Sequence, residues 1–435
     1  IITTIMNNNL ALKSRFVVMN FLEFAVWGSY LTSMGSYLVN VGLARDIAWF
    51  YAVQGVVSIF MPGLMGIIAD RWIPAQRLLG LCHLIAAIFM GATGFYGLGS
   101  AGNVQMPILF GLYSISVAFY MPTLALSNSV AFTGLTNAGM DTIRDFPPIR
   151  VFGTIGFICT MVSVDLLGFQ NTSNQFLVSA GLGLVLALYA QSLPACPTSK
   201  GEEKKSIVEA LGLNAFYLFK QKRMAIFFIF SMLLGVSLQI TNGFANPYIQ
   251  TYGQLPEFTD TFGAQHANIL ISISQISETC CILLIPFFMK RFGIKTVMLI
   301  AMAAWVFRFG LFGIGDPGSG VWMFILSMIV YGVAFDFFNI SGALFVDRNT
   351  SSSIRSSAQG LFMIMTNGLG ATIGTLGAQQ IINHFVYDLP STASGLEKIA
   401  GWKMSWLIFA GYSLCVLLLF WLAFSEHKQM KVTKN

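Results

Sequence analysis

A helix crossing the ~30 Å hydrocarbon layer of a bilayer needs ~20 mostly apolar residues. Such runs dominate this chain: 16–39, 47–69, 76–98, 106–133, 149–168, 174–194, 224–249, 265–289, 296–315, 321–346, 355–385 and 404–425, twelve in all. They are too long for barrel strands and lack the alternation a barrel requires. Continuous helix is then the way to satisfy every backbone group in lipid. The sequence therefore predicts an all-α polytopic membrane protein with twelve transmembrane helices. Only 10% of its residues are charged, against ~25% in soluble domains. That scarcity excludes a water-borne enzyme, a disordered regulator and a nucleic-acid binder.

The few charges are unevenly placed. With both termini on one side of the membrane, all but Arg45, Lys398, Lys403 and Arg308 of the 24 Lys and Arg fall on that side. Basic loops face the cytoplasm, so both termini are expected there. The asymmetry also requires an even number of crossings, and it makes the net charge of +6 a matter of topology rather than of acidic partners.

One long polar stretch, residues 196–222, divides the chain into six-helix bundles at 1–195 and 223–435. The halves echo each other. Val117-Ala118-Phe119-Tyr120 in span four corresponds to Val333-Ala334-Phe335-Asp336 in span ten, and Ile149-Arg150 opening span five corresponds to Ile354-Arg355 opening span eleven. Two such repeats around a midplane cavity are a common plan for secondary carriers. Between spans two and three, Gly66-Ile67-Ile68-Ala69-Asp70-Arg71-Trp72, followed by Arg77, resembles the G-x-x-x-D-R loop of the major facilitator superfamily. Gly66 is expected to permit close helix approach. Asp70 is expected to face the N-terminus of span eleven near Ser353-Ile354. With Arg71, Arg77 and Arg355 these residues form the expected cytoplasmic gate.

Ionisable groups inside a span are costly and by default functional. They are Glu23, His83, Glu278, Arg308 and Asp336, with Arg150 at the start of span five and Asp165 near enough to the outer end of that span to reach water. Residues three or four apart share a helix face. On that spacing Arg150, Thr154 and Phe157 make one stripe; Gln239 and Asn242 a second; Gln275 and Glu278 a third; and Tyr331, Phe335 and Asn339 a fourth, with Asp336 beside it. Amides can read hydroxyls and ring heteroatoms while aromatic rings stack on a flat ring. Interhelical hydrogen bonding is the competing account of the amides. A carboxylate held away from water is penalised for its charge and can exchange a proton, which makes Glu278 and Asp336, then Glu23, the candidates for proton coupling. A salt bridge from Arg150 that staples the halves is the alternative. Arg308 and His83, on peripheral spans, are expected to be structural, with snorkelling open to Arg308. The six cysteines and four histidines lack metal-ligand spacing, and no catalytic constellation stands out; no cofactor is expected.

The stripes lie in longer strings: Asn137-Ala138-Gly139-Met140-Asp141, Asp145-Phe146-Pro147-Pro148-Ile149-Arg150, Leu238-Gln239-Ile240-Thr241-Asn242, Ser274-Gln275-Ile276-Ser277-Glu278-Thr279 and Tyr331 to Asn339. Over nearly the whole chain these resemble the bacterial nucleoside:proton symporter family of the major facilitator superfamily. The resemblance implies the fold of that superfamily and proton-driven nucleoside uptake, by a monomer, across a bacterial inner membrane. By motif position it implies nucleoside contacts from Arg150, Thr154, Phe157, Gln239, Asn242, Gln275, Glu278, Tyr331 and Phe335. Glu23 stands where some members carry an amide. A carrier of sugars or other small polar metabolites, and more remotely a membrane enzyme or sensor, are the rival readings.

Overall fold

The computed structural model describes residues 2–100, 102–198, 213–350 and 355–424, and among them the chain is helical without a strand. Ten helices are long and apolar enough to cross a membrane. One of these, Ala267–Ile314, is two crossings joined at Gly293, whose φ of 77° lies in the left-handed region that glycine adopts without strain. The first crossing falls outside the ten because its start is polar and its second piece, Met34–Asn40, has only 7 residues. Twelve spans result.

Span one is Ile2–Gly28 with Met34–Asn40, span two Ile47–Arg71, span three Ala75–Gly99, span four Met106–Tyr120 with Thr123–Asn137, span five Thr142–Leu166 and span six Asn174–Tyr189. Span seven is Lys222–Gly235 with Ile240–Thr251; spans eight and nine are 267–292 and 294–314; span ten is Val321–Asn349. Span eleven runs from Arg355 to Tyr387 and span twelve is Gly395–Ala423. Several begin earlier than hydropathy predicts, because polar first turns are helical too. Span twelve starts at Gly395 rather than 404, where Ser394 and Glu397 form a reciprocal capping box.

Spans one and seven, the first of each half, break at matching places. Tyr30 N–H donates to the Trp27 carbonyl at 3.3 Å and Ser33 to Tyr30 at 3.2 Å; Ser237 donates to Leu234 at 3.0 Å and Leu238 to Gly235 at 3.1 Å. These three-residue closures wind the backbone tighter than an α-helix. Interrupted helices persist in membranes where they are buried in protein or line a cavity. Span eleven loosens instead, with a π-helical turn at Ile364–Gly370.

Span five packs against eight and span two against eleven, while the outer piece of span one meets that of span seven. This pairs the halves about a central axis. The division expected at 196–222 falls between spans six and seven; residues 199–212 lie outside the described residues and Leu213–Lys220 is a tightly wound helical run. At the end away from the termini (the far end) the halves meet backbone to backbone. A side-chain carbon added at Gly35 would collide with the carbonyl of Gly243. Hydrogen bonds reinforce this contact: Thr32 donates to Asn268 at 3.0 Å, Ser36 to Asn246 at 2.6 Å, Asn246 to Gln170 at 3.0 Å, and Ala48 N–H to Gln379 at 2.8 Å.

The terminus end is different. Among the described residues a carbon added at Gly66 would meet nothing within 4 Å, so the close helix approach expected there is not found among them. A cavity of about 550 Å³ opens between the halves, lined on this side by Ser58, Gly63, Asn128, Ser357 and Gly360 among others. The Asp70 side chain, residues 351–354 and the Arg355 side chain lie outside the described residues, and with them the expected latch. Arg77 is exposed, and Arg71 is partly buried with an interaction partner.

Candidate functional site

A second cavity, of about 190 Å³, sits deeper between the halves. It is walled by Arg150, Thr154 and Phe157 of span five, Gln239 and Asn242 of span seven, Gln275 and Glu278 of span eight, and Tyr331 and Phe335 of span ten. All nine residues of the stripes expected to contact substrate therefore face one space. The helical spacing that put each pair on one face is the local cause, and the break in span seven is the second: Gln239 precedes the first turn of Ile240–Thr251. There Asn242 Nδ2 donates to Gln239 Oε1 at 2.8 Å, which fixes both amides and leaves the Asn242 oxygen and the Gln239 nitrogen for a ligand.

Each half contributes an aromatic pair. Phe157 meets Trp27 edge to face, with centroids 6.3 Å apart, and Tyr331 stacks on Phe335 at 5.6 Å with 17° between planes. Trp27, Phe24 and Leu31 of span one also line the cavity, as do Leu238 and Asn367. None of these five belongs to the stripes that helical spacing picks out. Phe24, Trp27 and Leu31 follow helical spacing (i, i+3, i+7), an apolar pattern that in sequence is indistinguishable from core packing. Asn367 sits on the π-helical turn of span eleven and walls both cavities.

Arg150 lies over the Phe24 ring, its guanidinium carbon 3.9 Å from the centroid. Among the described residues it makes no ion pair with Glu278 or Asp336, so it does not staple the halves in this conformation. The three charged groups are nonetheless within electrostatic reach of one another. Asp336 is buried, and among the described residues its Oδ2 has no hydrogen-bond partner. An ionised carboxylate so placed lacks compensation for lost hydration; a proton removes the charge.

Glu23 is not in this cavity. Its carboxylate is fully buried inside the first half, with Oε2 at 2.8 Å from His83 Nε2 and Oε1 accepting from Thr123 Oγ1 at 2.6 Å. His83 is thus the hydrogen-bonded packing residue expected, and Glu23 is its partner. Arg308 is buried rather than snorkelling. It donates to the Ser327 carbonyl at 2.9 Å and Ser274 Oγ at 3.4 Å, and its guanidinium carbon sits 4.4 Å from the Tyr331 ring centroid. It thereby backs one aromatic wall of the cavity. Asp165 does not reach water: it is buried against His266, a contact that sequence spacing gives no means of finding.

Paired six-helix bundles around a cavity between them are the architecture of the major facilitator superfamily. The structure of a D-xylose-proton symporter superposes with a TM-score of 0.65 at 14% identity, covering 96% of this chain and 98% of that one. Within that class the assignment is specific. Residues 10–429 match the family described as Nucleoside H+ symporter, and the chain belongs to it. It is 45% identical to the xanthosine permease of Escherichia coli K12 over 98% of this chain and 99% of that protein. It is 46% identical to the nucleoside permease NupG of the same organism over 97% of each. A crystal structure of the nucleoside transporter NupG superposes with a TM-score of 0.85 over 96% of this chain and all of that one. The chain is accordingly a multi-pass membrane transporter and not an enzyme.

Proposed function

We propose that this protein takes up nucleosides together with protons across a bacterial inner membrane, as a monomer with both termini in the cytoplasm. The carrying observation is the 190 Å³ cavity, where amides from spans seven and eight, an aromatic pair from each half and the carboxylate of Glu278 share one space. A nucleoside's base lies between the Phe157 and Phe335 walls. Its hydroxyls and ring heteroatoms are read by Gln239, Asn242, Gln275 and Glu278, with Arg150, Thr154 and Tyr331 completing the contacts. Glu278 and Asp336 bind the transported proton. Glu23, closed off with His83, holds the first half together.

The mechanism is alternating access. In the conformation described the far end is closed and the larger cavity leads toward the termini, the arrangement of a carrier releasing its load inward. In the opposite state the loop of Gly66, Asp70, Arg71 and Arg77 closes against the Arg355 end of span eleven while Gly35 and Gly243 part. The proton gradient supplies the driving force without a cofactor. Labelled uridine and adenosine uptake into proteoliposomes, with and without an imposed pH gradient, tests this. Gradient-dependent accumulation is expected; uptake indifferent to the gradient, or competed by free ribose but not by nucleosides, would overturn it.

A further inference from the structure

At the far end, one acidic residue of the first half is held entirely by the second. Asp165, near the end of span five, is fully buried, while His266, just before span eight, keeps 32% of its side chain exposed. Asp165 Oδ1 lies 2.5 Å from His266 Nδ1, and Oδ2 accepts from the backbone N–H of Ile269 at 3.1 Å. Ile269 is in the first turn of the helix that starts at Ala267, where N–H groups have no intrahelical acceptor. Asp165 therefore caps a helix belonging to the other half. That cap and the imidazole bond can form only while the halves are together.

The surroundings isolate the pair. Gln170, Asn246 and Asn268, all neutral, link around it, with Asn268 N–H donating to Gln170 at 3.3 Å and Asn246 to Asn268 at 2.7 Å. The Phe262 ring stands 5.1 Å from that of His266. Among the described residues no other Asp, Glu, Lys, Arg or His forms an ion pair or hydrogen bond with either side chain. Among the described residues His266 Nε2, the nitrogen turned away from Asp165, makes no hydrogen bond.

From this geometry we infer that Asp165 and His266 form a proton-binding site at the far-end gate, distinct from the carboxylates of the central cavity. With neutral His266, Nδ1–H donates an ordinary hydrogen bond to the carboxylate. A proton taken up at Nε2 makes the ring an imidazolium, and the same bond becomes charge-assisted and stronger. The gain exists only in the closed arrangement, because opening separates the two groups. Protons on this side therefore favour closure, and their loss weakens it. In the orientation proposed above, external acid shuts the gate behind a loaded carrier.

The test uses the full chain in liposomes, with exposed Cys159, Cys280 and Cys415 replaced by Ser and nitroxides attached at Asn171→Cys and Asp260→Cys, one on each half. The fraction at the short, closed-gate distance is expected to rise roughly fivefold between pH 8 and pH 5.5, and to be flat in both Asp165→Asn and His266→Gln. No dependence in the parent, or an undiminished slope in either variant, overturns the inference. His266 is partly exposed, so its variant reports even where the buried aspartate cannot be replaced. The readout needs no substrate, so it stands apart from nucleoside transport. Acidifying only the external compartment distinguishes a wrong orientation, in which that change has no effect while internal acid closes the gate.

Discussion

Gly35 is the position where the smallest change should most disturb the transport cycle. A methyl there meets the carbonyl oxygen of Gly243 and lies 3.0 Å from Pro247 Cγ. The first obstacle is backbone, held by the second piece of span seven, so it cannot swing aside as a side chain would. Overpacking a close contact costs about 1–3 kcal/mol. The cost falls on the far-end-closed state alone, since Gly35 and Gly243 separate when that end opens. A penalty of that size shifts the closed-to-open ratio by about fivefold to 150-fold. Gly35→Ala should therefore bind labelled nucleoside at least as well as the parent, while counterflow, which needs repeated closure, slows within that range. Gly181→Ala, on the exposed face of span six, is the matched control, because a methyl there meets nothing within 4 Å. Counterflow by Gly35→Ala within twofold of the parent, with the protein folded, would refute the premise that the halves must touch at this glycine.

Two further predictions concern the buried acids. Glu278→Gln and Asp336→Asn should impair concentrative uptake more than nucleoside exchange, measured in the same vesicles with and without a gradient; normal accumulation by both would place the transported proton elsewhere. Glu23→Gln, which keeps hydrogen-bonding capacity toward His83 and Thr123, should leave gradient-driven uptake unchanged, whereas Glu23→Ala should destabilise the protein by about 1–3 kcal/mol through buried groups left unpartnered, read as a lowered melting temperature. Loss of accumulation in Glu23→Gln without a change in melting would make Glu23 a proton carrier after all.

The spans and the substrate-facing stripes were legible because two simple periodicities encode them. A run of ~20 apolar residues marks a crossing, and polar residues at i, i+3 and i+4 within it mark an inward face. Gln239 with Asn242, and Gln275 with Glu278, are found this way. What stayed hidden depends on partners distant in sequence. Asp165 and His266 are separated by 101 residues, and each alone reads as a polar group near a helix end. Glu23 looks like a cavity acid until His83, 60 residues later, is seen to occupy it. The breaks in spans one and seven leave no mark on hydropathy, since the residues that unwind, such as Tyr30-Leu31 and Val236-Ser237-Leu238, remain largely apolar.

Arg308 also constrains the order in which the chain enters the bilayer. Its acceptors are on span ten (the Ser327 carbonyl) and span eight (Ser274 Oγ), flanking its own span nine on both sides in sequence. During synthesis span nine leaves the ribosome before span ten exists. An arginine at the centre of a lone helix opposes insertion by ~2.5–3.5 kcal/mol or more, and a single serine from span eight does not cancel that. The arginine is fully satisfied only once spans eight, nine and ten are together, and a nascent chain ending after residue 314 carries it into the bilayer without its span-ten acceptor.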